Sequence, residues 1–148
     1  MPAKELRIRI DRLRQRLGSG PLSDAVINSN AGPMFEGFWG GVHDQRGYAR
    51  VLKKPGMKYV VNTSHTPNSK GVHWVAIYIS PSGVEHVYDS FGRDVDQLLP
   101  FAGLSPRRVE VNRDGDQHIN SALCGHYCIS WLELVRDQGV MAANRATR

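Results

Sequence analysis

Apolar residues open the chain at Leu6, Ile10, Leu13 and Leu17, spaced four, three and four apart. That spacing is one face of an α-helix and predicts a helix over residues 4–17, with Gly18 as its C-terminal cap. The other face carries Lys4, Arg7, Arg9, Arg12, Arg14 and Arg16, so residues 1–17 form a basic N-terminal helical segment. Residues 18–56 are rich in Gly, Pro, Asn and Asp and predict irregular structure with short elements. MKYVVNTS (57–64), HWVAIYIS (73–80) and VEHVYDSF (84–91) then concentrate β-branched and aromatic residues and predict strands. Pro81-Ser82-Gly83 has hairpin chemistry. RRVEVN (107–112) predicts a fourth strand, and CGHYCISWLELVRD (124–137) a second long helix, started by Asn120 or Ser121 and ended by Gly139. Residues 142–148 read as a loose tail. The pattern is that of one α+β domain over residues 1–148.

Composition narrows the class. With 148 residues, 41% hydrophobic and 22% charged, the chain can bury a core, and wholesale disorder is excluded. No run approaches the apolar length of a membrane span. The charged N-terminus shows no apolar signal region, and two cysteines are too few for a disulfide scaffold. The expectation is an intracellular protein in a reducing compartment. A net charge of +5 permits an anionic partner such as DNA. Arg9, Arg12 and Arg16 are the candidate phosphate contacts, against the plainer reading of a solvated basic face.

The candidate chemistry centres on Cys124. It falls at the predicted start of a helix, where unpaired N–H groups and a partial positive charge favour the reactive thiolate. Cys128 lies one turn on, in line with Leu132 and Val135, and reads as a buried core cysteine. A nucleophilic cysteine needs a base, and the base needs an orienting group. If the hairpin pairs about a loop centred on Ser82, Ser80 faces Val84 and Val75 faces Asp89. His73 then lies diagonal to Asp89 on one face of the sheet. A two-residue turn would shift the register by one and put Asp89 on the wrong face. The expectation therefore depends on an odd-numbered loop. Gln117, seven residues before Cys124, is either the amide of an oxyanion hole or a surface polar residue. Cys124 and Cys128 with His118 and His126 match no zinc spacing well, and no metal site is expected.

The ordered set GPMFEGFWGGVHDQRG (32–47), VVNTSHTPNSKGVHWVAIYI (60–79), VYDSFG (87–92) and QHINSALCGHYC (117–128) resembles the adenovirus-type cysteine endopeptidases. That family belongs to the wider group of ubiquitin-like-protein-specific proteases. The resemblance covers roughly residues 30–135. It implies a catalytic triad of His73, Asp89 and Cys124, with Gln117 in the oxyanion hole. It implies a mixed sheet packed on the Cys-bearing helix, in papain-like geometry with permuted order. The implied activity is cleavage of viral precursor proteins at Gly-containing sites, with Trp74, and Trp39 as a second candidate or a core plug, lining the substrate channel. No cofactor is required for that chemistry. The family's activation by DNA and by a viral peptide implies such partners here, the peptide noncovalent because only Cys128 is spare, and implies a nuclear or virion location. The sequence departs from the adenoviral enzymes in carrying Asp89, where those usually have glutamate, and in its shorter length. Two rivals stand beside this reading: a ubiquitin-like-protein processing protease, and a non-catalytic basic DNA-binding protein.

Overall fold

The computed structural model describes residues 3–63, 73–111, 115 and 122–147. The elements are α1 (Lys4–Leu17), α2 (Asp24–Met34), β1 (Trp39–His43), α3 (Gln45–Arg50), β2 (Lys58–Asn62), β3 (Trp74–Ile79), β4 (Glu85–Tyr88), α4 (Val95–Leu98), β5 (Arg108–Val111), α5 (Cys124–Gln138) and α6 (Val140–Ala146). The five strands form one mixed sheet in sequence order. β2, β3 and β4 run antiparallel, and each edge strand pairs parallel to its neighbour.

Strand alternation divides the core between the two faces of this sheet. Val60, Ala76, Tyr88 and Val111 are aligned across four strands and pack against α5 and α1. The Tyr88 ring stacks on Trp131 of α5 at 5.3 Å. Tyr59, Ile77 and Val87 form the adjacent row and face the other way, against Tyr48, Val95, Leu99 and Ala102. Both faces are covered, which explains why the centres of β2 and β3 read as nearly continuous apolar runs.

α1 buries the predicted stripe at Leu6, Ile10 and Leu13. Arg9 on its flank bonds Glu133 at 2.5 Å and Asp137 at 2.7 Å, fixing α1 to α5. Three expectations are corrected. The stretch 18–56 is more ordered than its composition suggests, because Ser23 caps α2 through the Val26 N–H (3.2 Å) and Asp44 caps α3 through the Gly47 N–H (2.6 Å). The tail is not loose from residue 142: α6 buries Ala143 and Ala146, and the Ala146 carbonyl accepts from the Ala3 N–H at 2.7 Å. The residue preceding α5 is Leu123, with no side-chain cap. Asn120 and Ser121, expected there, lie outside the described residues.

Candidate active site

Cys124 is the first residue of α5, the helix that packs on the sheet beside β3. The N-cap position is Leu123, whose side chain cannot accept from the first amides of the helix. The Gly125 N–H donates to the Cys124 sulfur, and the Trp74 N–H at the start of β3 reaches the same atom. Burial pushes the thiol up, but the bond to His73 and these two N–H groups outweigh it, so the thiol lies below its ordinary value.

The hairpin register delivers the base. The loop is Pro81-Ser82-Gly83, with Gly83 at φ +85° and its N–H on the Ser80 carbonyl at 2.9 Å. This odd-numbered loop pairs Ile79 with Glu85 and Ala76 with Tyr88. The Ser80 N–H donates to the Val84 carbonyl at 2.9 Å. His73 and Asp89 consequently meet just beyond the end of the ladder, as diagonal pairing requires. His73 Nε2 hydrogen-bonds Asp89 Oδ1. The ring also bonds Cys124.

Asp89 is fully buried, which would ordinarily favour its neutral form. His73 reverses this, helped by a turn that folds the chain back on the carboxylate. The Phe91 N–H reaches Oδ1 at 3.2 Å and the Arg93 N–H reaches Oδ2 at 2.8 Å. The Asp89 carboxyl is held below the usual range. Burial pulls the His73 imidazole down, yet its bonds to Asp89 and Cys124 raise it above the ordinary value. The three groups therefore favour the charge state of a thiolate beside an imidazolium, anchored by a carboxylate.

Further residues, not singled out from sequence, complete the site. The Phe91 ring lies flat on His73, with centroids 4.5 Å apart and planes at 12°. The Arg93 guanidinium covers the outer face of Phe91 at 4.7 Å. From the α1–α2 connection, the Leu22 carbonyl accepts from Trp74 Nε1 at 2.9 Å, and the Leu22 side chain lies against Gly125. A Cβ on Gly125 would come within 3.1 Å of Leu22 Cδ1, so glycine here permits the close crossing. The only sequence signal for Phe91 and Arg93 was their placement directly after Asp89; nothing marked Leu22.

A groove of about 420 Å³ opens beside this assembly. Leu22 and Trp74, which also contact the Gly125 and Cys124 end of α5, line it together with Asp24, Val42, His43 and Asp44. Trp74 is thus part of the groove. Trp39 is not among its lining residues: it sits at the opposite end of β1, bonded to Asn28 at 3.0 Å and tilted on Phe35 at 6.0 Å. Gln117 lies outside the described residues, as does His118. Cys128 is fully buried, and burial raises its thiol well above the ordinary range. Of the three arginines considered for phosphate contact, Arg9 is engaged with Glu133 and Asp137, Arg16 bonds Asn30 at 3.1 Å, and Arg12 is exposed. Among the described residues, the only acidic, histidine or cysteine cluster with metal-ligand spacing is Asp94, Asp96 and Glu110, of which Asp96 is paired with Arg108 at 2.5 Å. No helix of the described residues is long and apolar enough to cross a membrane.

No protein-family model matches this sequence, and no curated protein matches it.

Proposed function

We propose that this protein is a cysteine endopeptidase with Cys124 as nucleophile, His73 as its proton partner and Asp89 as the orienting group. The observation that carries the reading is the continuous connection Asp89–His73–Cys124, in which the sulfur also receives the Trp74 and Gly125 N–H groups. Each member has the protonation tendency the chemistry needs. A buried carboxylate, a raised imidazole and a lowered thiol in one contiguous set are uncommon as a purely structural arrangement.

In the proposed reaction the Cys124 thiolate attacks the scissile carbonyl carbon, forming a C–S bond and an oxyanion. The Gly125 and Cys124 amides at the start of α5 supply positive potential there, and Gln117 is the proposed side-chain donor. The C–N bond breaks as His73 gives its proton to the departing amine. Water then attacks the thioester, His73 takes a water proton, and the thiolate leaves. No metal or organic cofactor takes part in these steps.

The resemblance of the His73, Asp89 and Cys124 segments to adenovirus-type endopeptidases extends the proposal to viral precursor proteins cleaved at Gly-containing sites, in papain-like geometry of permuted order. It extends it further to activation by DNA or a noncovalent peptide, and to the nucleus or virion. The test is digestion of a Gly-rich peptide library and of a viral and a ubiquitin-like precursor, with and without DNA. Cleavage that disappears in Cys124→Ala and in His73→Ala supports the reading. Cleavage that persists in Cys124→Ala, or no cleavage of any substrate with DNA present, overturns it.

A further inference from the structure

The groove beside Cys124 differs in charge from the rest of the molecule. The chain as a whole carries +5, yet among the described residues the charged ones lining the groove are Asp24 and Asp44, with no Lys or Arg. Each carboxylate is only half used. Asp24 Oδ1 accepts from the Ala25 N–H at 2.9 Å, and Asp44 Oδ1 accepts from the Gly47 N–H at 2.6 Å. Among the described residues, neither forms an ion pair with Lys or Arg. Both sit at helix N-termini, Asp24 as the first residue of α2 and Asp44 as the N-cap of α3. A helix terminus supplies roughly half a positive charge, so each position remains net negative. The other titratable lining residue, His43, has its Nε2 on the Gly40 carbonyl at 2.8 Å.

Position gives this charge its meaning. Trp74 belongs to both places: its backbone N–H bonds the Cys124 sulfur, and the residue lines the groove. A chain whose carbonyl sits on Cys124 therefore passes the groove within about one to three residues, at about 3.3–3.6 Å per residue. The volume of about 420 Å³ accommodates a long side chain. Two carboxylates on the wall of such a groove suit a cation through charge.

We propose that this groove seats a Lys or Arg side chain of the polypeptide substrate, close to the scissile bond and held between Asp24 and Asp44. The inference rests on the endopeptidase reading for the word substrate, but the groove's preference for a cation is measurable without turnover.

The test uses fluorescent decapeptides of Ala and Gly in which one position is Lys, Gln or Glu. Binding to the full-length Cys124→Ala protein is followed by anisotropy at low and high salt. The same peptides are then digested with wild type and the cleavage sites mapped by mass spectrometry. The Lys peptide is expected to bind about tenfold more tightly than the Glu peptide at low salt, with the gap narrowing at high salt. Asp24→Asn with Asp44→Asn is expected to erase the gap, since Asn can keep the Asp44 cap of α3 and the Asp24 bond to the Ala25 N–H. Asp11→Asn with Glu5→Gln, an equal charge change on α1, is expected to leave it. Equal binding of the Lys and Glu peptides, or a gap that survives the double substitution, overturns the proposal. A gap without any Cys124-dependent cleavage keeps the cationic groove and removes the endopeptidase. Cleavage with no charge preference does the reverse.

Discussion

Phe91 lies flat on the His73 imidazole, 4.5 Å away and 12° from parallel. Its own N–H bonds Asp89 Oδ1, the oxygen that also holds His73 Nε2. One residue therefore fixes both the plane of the base and the acceptor that orients it. An aromatic pair of this kind is worth about 0.5–1.5 kcal/mol beyond its buried area. Phe91→Ala keeps the backbone N–H and removes only the ring. The expected result is a fall in kcat of about 2–10-fold, with KM little changed and the pH profile of Cys124 alkylation displaced. Phe91→Tyr is expected to restore both. A Phe91→Ala enzyme with an unaltered pH profile and lower thermal stability alone would make the ring a packing element.

Much of this relationship was legible in the sequence, and the reasons are specific. Strands β2 and β3 announce themselves because burial on both faces leaves runs of Val, Ile and Tyr at their centres. The register followed from the loop: an odd number of residues around Ser82 puts Asp89 on the face of Val75, and the ladder keeps that register up to Ala76 and Tyr88, one pair short of it. Phe91 was invisible because its orientation depends on the turn after Asp89, where backbone geometry and not residue type aims the ring. β1 was missed for a different reason. Trp39–His43 contains two glycines, and a Cβ on Gly40 would lie 2.1 Å from a Tyr59 ring carbon, so close packing demanded a residue that reads as a loop. α6 was missed because its buried side, Ala143 and Ala146, is too small to register as an apolar stripe.

The two cysteines should separate cleanly in reactivity. Cys124 is 8% exposed and its thiol is lowered by His73 and two amides despite burial. Cys128 is fully buried, and its thiol is raised by that burial and by the nearby Cys124 and Asp89 charges. Iodoacetamide on native protein is expected to give one adduct per chain, at Cys124, and two in denaturant. The midpoint of Cys124 labelling is expected below the ordinary thiol value of 9.0, and to rise in His73→Ala. Labelling of native Cys128 at a comparable rate would contradict the buried assignment.

The same pair of groups sets a pH window for stability. The folded pKa of Asp89 is depressed from 3.8, so its contribution is complete above that value and is lost as pH falls through the folded pKa. The folded pKa of His73 is raised from 6.5, so its contribution is complete below that value and is lost as pH rises through the folded pKa. Both are fully present together between about pH 4 and pH 6.5. The difference in Tm between wild type and His73→Gln is expected to be largest inside that window and to shrink on either side. A difference that grows steadily toward alkaline pH would contradict the imidazolium form of His73.

Arg9 and Arg12 face different fates on the same helix, which makes the question of DNA separable from that of stability. Arg9 is tied to Glu133 at 2.5 Å and to Asp137 at 2.7 Å, with only 16% of its side chain exposed. Releasing it to a phosphate would leave Glu133 and Asp137 of α5 with Arg136 alone, at 3.8 Å and 2.7 Å, beside an anionic ligand, a cost that competes directly with binding. Arg12 is exposed, and Arg16 gives up only a surface bond to Asn30. If α1 tracks DNA, Arg12→Ala and Arg16→Ala are each expected to reduce the slope of log affinity against log salt by about one. Arg9→Ala is expected to leave that slope unchanged and to lower Tm instead, because it disconnects α1 from α5. Equal losses of slope in all three variants would show that DNA captures Arg9 from α5. Unchanged slopes in Arg12→Ala and Arg16→Ala would leave the basic face as a solvated surface and remove DNA as an activator acting through α1.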